Sequence, residues 1–122
     1  MSCRQLRGGF PGYCAAVFDG CNGWQLSNYC SKNLHKYLEE HLKGAKTEKQ
    51  IVQALNKTFD QIESEWEELV KVAFHAGYPQ TAYQGSTALV ALVHENKVYV
   101  ANSGHSKAVL LREVRAKAGQ SN

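Results

Sequence analysis

Gly85-Ser86-Thr87-Ala88-Leu89-Val90-Ala91-Leu92-Val93-His94, followed by Glu95-Asn96 and then Lys97-Val98-Tyr99-Val100-Ala101-Asn102-Ser103, is the stretch that decides the fold. Two runs of aliphatic and β-branched residues joined by a two-residue connection read as a tight antiparallel hairpin. A strand in a half-solvated sheet alternates apolar with polar residues. These runs do not alternate. Residues 88–93 are apolar on both faces, and Tyr99 and Ala101 oppose Val98 and Val100 in the next run. After the turn Ser103-Gly104-His105-Ser106, a third strand is expected over 107–113, where Val109 and Leu111 oppose Ala108 and Leu110. Upstream, Gly12-Tyr13-Cys14-Ala15-Ala16-Val17-Phe18-Asp19 has the same two-sided character and reads as a further strand, closed by a turn from Gly20 to Gly23. Strands apolar on both faces need a layer against each face.

Two helices can supply one layer. The first opens at Trp24 and carries Leu26, Tyr29/Cys30, Leu34, Tyr37/Leu38 and His41/Leu42 at intervals of three and four, ending at Gly44. The second opens on the capping box Thr47-Glu48-Lys49-Gln50. Its stripe runs Ile51, Leu55, Thr58/Phe59, Ile62, Trp66, Leu69/Val70 and Ala73, with Gly77 as the C′ residue and Pro79 beyond it. Glu63, Glu65, Glu67 and Glu68 read as a solvated face. Nothing else in the sequence covers the second face of the sheet. The expected class is α+β, an antiparallel sheet with two long helices on one face. The open face should belong to a larger sandwich, or be covered by a protein partner or by self-association. Residues 1–11 are Gly-rich and read as a flexible lead-in, 12–113 as the folded unit, and 114–122 as a tail.

At 122 residues, with 43% apolar and 20% charged side chains, the chain has room for one domain. No apolar run approaches the roughly 18 residues of a spanning helix, and Gly8, Gly9, Pro11 and Asp19 break up the N-terminal region, so neither membrane insertion nor a signal peptide is expected. Behind the net charge of +3, the excess base sits at the two ends, in Arg4 and Arg7 and in Lys107, Arg112, Arg115 and Lys117 against Glu113, while residues 19–106 sum to −2. No basic stripe interleaved with aromatics is present, which argues against a nucleic-acid partner. The four cysteines at 3, 14, 21 and 30 form no C-x-x-C pair. Reduced thiols are expected, in cytoplasm or nucleus, with Cys14 packing as a small apolar residue.

Several familiar sites are excluded by their spacing. Cys21 has Ser27, not Arg, six residues on, and Gly20-Cys21-Asn22-Gly23 lacks the Lys of a nucleotide-binding loop. His35 and Glu39 share a helix face with no further ligand beside them and read as an exposed pair. Two strand ends remain. Asp19-Gly20 by itself is ordinary turn chemistry.

Taken together, the strand ends resemble the metal-dependent protein phosphatases of type 2C. The V-F-D-G-H-G-G segment of that family is matched by Val17-Phe18-Asp19-Gly20-Cys21-Asn22-Gly23, its G-S-T-A strand by Gly85 to Ala88, and its Y-V-A-N-x-G-D-S-R-A-V-L run by Tyr99 to Leu110, with His105 and Lys107 in place of D and R. Order, spacing and the connecting helices agree over residues 13–111. The resemblance implies an αββα sandwich, of which this chain would form a part. It implies hydrolysis of phosphoserine and phosphothreonine in phosphoproteins, with two Mn²⁺ or Mg²⁺ ions activating a water. By the same resemblance Asp19 bridges both metals and Gly20 lends its carbonyl.

The resemblance also sets limits. The family's other core carboxylates lie in D-G and D-N motifs far downstream of the segments matched here, and its phosphate-binding Arg lies further upstream than the 18 residues before Asp19 allow. Cys21 stands where the family has a His proposed as the leaving-group acid, and His105 where it has a metal-associated Asp. One carboxylate and one carbonyl bind a hard divalent ion weakly, so the isolated chain is expected to be inactive. It is expected to be a portion of a phosphatase domain completed by another chain, a pseudophosphatase-type interaction module, or a truncated product with no independent role.

Overall fold

A computed structural model describes residues 2–6, 10–104, 107–109 and 111. Its local structure follows from caps and turns. Glu95 and Asn96 both take positive φ, 49° and 63°, the backbone of a two-residue hairpin turn whose twist suits the flanking strands. They join β3 (Gly85–His94) to β4 (Lys97–Ser103). Thr47 Oγ1 accepts from the Gln50 amide at 3.2 Å while Gln50 Oε1 accepts from the Thr47 amide, so the capping box starts α2 (Glu48–His75) where the sequence places it. α1 spans Gln25–His41. Trp24 is its N-cap and is exposed rather than part of the buried stripe.

β3 pairs antiparallel with β2 (Tyr13–Cys21) in the register Tyr13↔Val93 to Cys21↔Gly85. Together with β1 (Ser2–Gln5) and β4 these strands form one sheet in the order β1-β2-β3-β4. Successive side chains alternate across it. Cys14, Ala16, Val90 and Leu92 point one way and are buried with Cys30, Leu34, Leu38 and Leu42 of α1 and its end, and with Ile51, Ala54, Leu55 and Ile62 of α2. Tyr13, Val17, Val93, Val98 and Val100 point the other way, and Val98 and Val100 are each 50% exposed. Helices therefore cover one face only, and among the described residues nothing covers the other.

Two expectations are corrected. The lead-in is ordered where it is described: Ser2–Gln5 pairs with Tyr13–Ala16, and Leu6 and Phe10 are buried. The edge of β2 supplies hydrogen bonds that a local reading of a Gly-rich segment cannot see. His94 fastens the same segment, stacking on Phe10 at 4.2 Å with its Nδ1 2.5 Å from the Pro11 carbonyl oxygen. The third strand over 107–113 is not formed at its described residues. Lys107, Ala108, Val109 and Leu111 are irregular and exposed, because two-sided apolarity stabilises a strand only when a neighbouring edge and layer receive it. The remaining residues of that strand, His105, and the tail 114–122 lie outside the described residues.

The solvated acidic face also needs revision at one position. Glu65 Oε2 accepts from Tyr29 Oη at 2.7 Å and from Tyr37 Oη, and its Oε1 accepts from Gln61 Nε2 at 3.1 Å. Gln61 continues the chain to His41 Nε2 at 2.7 Å. This carboxylate ties α1 to α2 beyond the last fully buried layer. The hydrogen bonds from Tyr29, Tyr37 and Gln61 hold its carboxyl below the usual range, while burial and the bond to Glu65 hold the Tyr29 phenol well above its own.

A carboxyl whose folded pKa lies below its unfolded value adds stability above the unfolded pKa and loses it as pH falls through the folded one. Glu65→Gln is therefore expected to cost about 1 kcal/mol at pH 7, a modest figure because the cluster is half-exposed. The gap should close as pH drops below about 4.3, the ordinary glutamate value. Urea midpoints of both proteins across pH 7 to 3 check this, and a gap that stays constant would refute it.

Candidate metal centre

β2 runs on through Asp19 and Gly20 and ends at Cys21, two residues later than the sequence suggests, because Gly20 and Cys21 still pair with Ser86 and Gly85. The register sets Asp19 opposite Thr87. The Asp19 amide donates to Thr87 Oγ1 at 3.3 Å. On the far side of β3, the pairing Ala88↔Ser103 brings Gly104 up to Thr87. Gly104 has φ 106°, and a Cβ there would lie 2.7 Å from Thr87 Cγ2. The three motif segments read from the sequence thus meet at one end of the sheet, through backbone pairing and close packing.

Asp19 follows the parity of Val17, so its exposed carboxylate belongs to the open face, at the end where the apolar surface stops. Gly20 follows the parity of Phe18 and turns toward α1. A Cβ on Gly20 would meet the Gly23 carbonyl oxygen at 2.6 Å and Ser27 Oγ at 2.9 Å. Asn22, φ 61°, and Gly23, φ 147°, complete the reversal. Cys21 is exposed. His105, the other position where the sequence departs from the type 2C pattern, lies outside the described residues.

Beneath this end, on the helix side, is a cavity of about 360 Å³ lined by Leu26, Cys30, Phe59, Ile62, Trp66 and their neighbours. Burial pushes the Cys30 thiol up to about 11, so it is inert as a ligand or nucleophile near neutral pH.

The donor chemistry of Asp19 and Gly20, a carboxylate and a carbonyl, suits a hard divalent cation. The number of donors does not complete a centre: among the described residues no group of three or more His, Cys, Asp or Glu side chains stands close enough to hold a metal. The two residues fit one corner of such a site. Sequence reasoning named Asp19 and Gly20 but not the residues that brace their turn, Gln84 and Ser27. Ser27 Oγ donates to the Trp24 carbonyl at 3.0 Å, and no motif or periodicity marks either residue.

A half-sandwich of one antiparallel sheet and two helices, ending in an Asp-Gly corner beside a Gly-Ser-Thr strand, is the class of structure seen here. The chain belongs to the protein phosphatase 2C family, whose family model matches residues 5–121. It is 36% identical over 117 residues to Protein phosphatase 2C 53 of Oryza sativa subsp. japonica, covering 84% of this chain and 25% of that protein. It is 36% identical over 104 residues to Protein phosphatase 2C 77 of Arabidopsis thaliana, covering 79% and 23%. Protein phosphatase 2C homolog 1 of Schizosaccharomyces pombe is 33% identical over 107 residues, covering 83% and 28%. The chain spans about a quarter of the length of these relatives. No helix among the described residues is long and apolar enough to cross a membrane.

Gly20→Ala drives a Cβ into a backbone carbonyl and is expected to destabilise the protein by about 1–3 kcal/mol. Gly85→Ala, whose Cβ would meet nothing nearer than Cys21 Cβ at 3.9 Å, should stay within about 1 kcal/mol. Denaturant midpoints that rank the two the other way would refute this account of the corner.

Proposed function

We propose that this chain is the portion of a metal-dependent serine/threonine protein phosphatase domain whose Asp19 carboxylate and Gly20 carbonyl would hold a divalent cation, and that it is catalytically silent alone. The observation that carries the reading is the meeting of Asp19, Thr87 and Gly104 at one sheet end, where three segments matching the family's pattern come together. Mn²⁺ or Mg²⁺ is the cofactor these oxygen donors suit, and when bound it would supply electrostatic activation of water and of a phosphoryl oxygen. Asp19 offers the anionic oxygen, and Thr87 Oγ1 steadies the Asp19 backbone rather than the metal. The silence follows from charge: a divalent centre would need several anionic ligands, and this corner has one.

The isolated chain should release no phosphate from a phosphoserine or phosphothreonine peptide above background with Mn²⁺ present. Mixing it with the complementary portion of a type 2C domain should restore turnover that Asp19→Asn abolishes. Steady Mn²⁺-dependent turnover by the chain alone, lost on Asp19→Asn, would overturn the proposed silence.

The second reading is a pseudophosphatase-type interaction module. Cys21 favours it, since an exposed thiol stands where the family has a proton-donating imidazole. In both readings the partner covers the open face, either as a second sheet from another protein or as a second copy of this chain. Replacing Val98 and Val100 with Lys should keep the chain monomeric at concentrations where the unmodified chain associates, as read by light scattering. A monomeric unmodified chain would count against a self-associating open face.

A further inference from the structure

At the opposite end of the sheet from Asp19, the chain turns from α1 into α2. Gly44 takes φ 74° there, and the Ala45 amide donates to the Leu42 carbonyl at 3.0 Å. The reversal leaves a cavity of about 220 Å³ between the end of α1 and the first turns of α2. An ion pair between Glu48 and Lys97 joins the start of α2 to the β3–β4 hairpin, whereas Asp19 lies across from Thr87 at the far end of the ladder.

His41 and Lys43 line this cavity from one side, and Gln50, Gln53 and Lys57 from the other. Positions 50, 53 and 57 are three and four residues apart, so they share one face of α2. Gln50 Oε1 accepts from the Lys46 and Thr47 amides at 2.7 and 3.2 Å. Its side chain therefore keeps the Nε2 end, a donor, for a further acceptor. Gln61 Nε2 donates to Glu65, so Gln61 Oε1 accepts from His41 Nε2–H. That chain anchors the imidazole and sets an amide between it and the Glu65 carboxylate.

The charge is one-sided. Among the described residues no Asp or Glu lines the cavity. Glu48, the acid in the first turn of α2, is engaged with Lys97. Among the described residues neither Lys43 nor Lys57 enters an ion pair. The end of one helix and the start of the next contribute opposite dipoles, which leaves the two ammonium groups to set the sign. Uncompensated ammonium groups flanked by carboxamide donors match a compact dianion rich in acceptor oxygens. The volume lies below the roughly 300–1,000 Å³ of sites for drug-sized ligands, which favours a small group.

We propose that this cavity is a phosphate-group site, taking inorganic phosphate or a small phosphate monoester on Lys43 and Lys57, with Gln50 and Gln53 as hydrogen-bond donors. The proposal is independent of the reading of Asp19 and Gly20 as cation ligands.

The test is a titration of the full chain with inorganic phosphate at pH 7, following backbone amide resonances at constant ionic strength so that general screening is fixed. Shifts should concentrate at Gly44, Ala45, Gln53 and Lys57 and should saturate. Lys43→Gln and Lys57→Gln should each weaken the midpoint about five-fold, and the double variant should lose saturation. Lys49→Gln is the control: it removes the same unit charge from α2 outside the cavity and should leave the midpoint within about two-fold. All three lysines are exposed, so urea midpoints should stay unchanged. O-phosphoserine separates the sources. A tighter midpoint than with inorganic phosphate assigns the site to a monoester, and an equal or weaker one assigns it to free phosphate. Weakening by Lys49→Gln as large as that by Lys43→Gln would show diffuse attraction to a basic surface and overturn the proposal. Absence of localised, saturable shifts in the unmodified chain would do the same.

Discussion

The antiparallel pairing of β2 with β3 is the constraint on which the rest depends. It joins Tyr13–Cys21 to residues some seventy positions away, and the two helices fill the interval between them. Strand side chains alternate with a period of two, so the register assigns every one of them to a face. In the observed register Cys14, Ala16, Val90 and Leu92 face the helices, and Asp19 faces the open side at the sheet's end. A slip of β2 by one residue would turn Cys14 and Ala16 to solvent and carry the Asp19 carboxylate toward the packed helices, where an unpaired charge is costly. The core and the candidate site are consequently two faces of one ladder, and neither can be placed without the other.

Physical economy on the open face points in the same direction. Tyr13, Val17, Val93, Val98 and Val100 form an apolar surface that a sheet facing water would replace with alternating polar residues. Asp19 sits at its margin. A second layer over this surface would take water from the margin as well, and a carboxylate there would need a positive partner to offset its desolvation. Covering the face would therefore also change the surroundings of the Asp19 carboxylate. The same burial that completes the hydrophobic sandwich raises the effective strength of any charge interaction at its end.

What the sequence showed plainly was what local chemistry decides. The capping box at Thr47, the stripes of α1 and α2, the turn at Glu95 and Asn96 and the two-sided apolarity of β3 and β4 all depend on neighbours a few residues apart. The features that escaped depend on distant partners. β1 is short and polar and gains its order from the edge of β2. The strand expected over 107–113 carries apolar residues without a described edge to receive them. Glu65 looked like one acid in a solvated run, and only the packing of α1 against α2 brings Tyr29 and Tyr37 to it. At the candidate site, Asp19 and Gly20 were legible because they belong to a motif. Gln84 and Ser27 were not, since a lone amide or hydroxyl carries no periodicity, and only the fold places it beside the turn.

The two ends of the sheet also differ in how they are held, which bears on how such a chain can lose or keep chemistry. Away from the site, Leu38, Leu42, Ile51, Val90 and Leu92 are almost wholly buried, and burying a side chain of that size is worth about 1.5–3 kcal/mol. Around Asp19 the restraints are exposed or half-buried hydrogen bonds and glycines that permit close approach. A substitution there, such as one at the exposed Cys21, costs the fold little because no core contact is lost. The apolar framework can therefore hold its architecture while the chemistry of the turn varies.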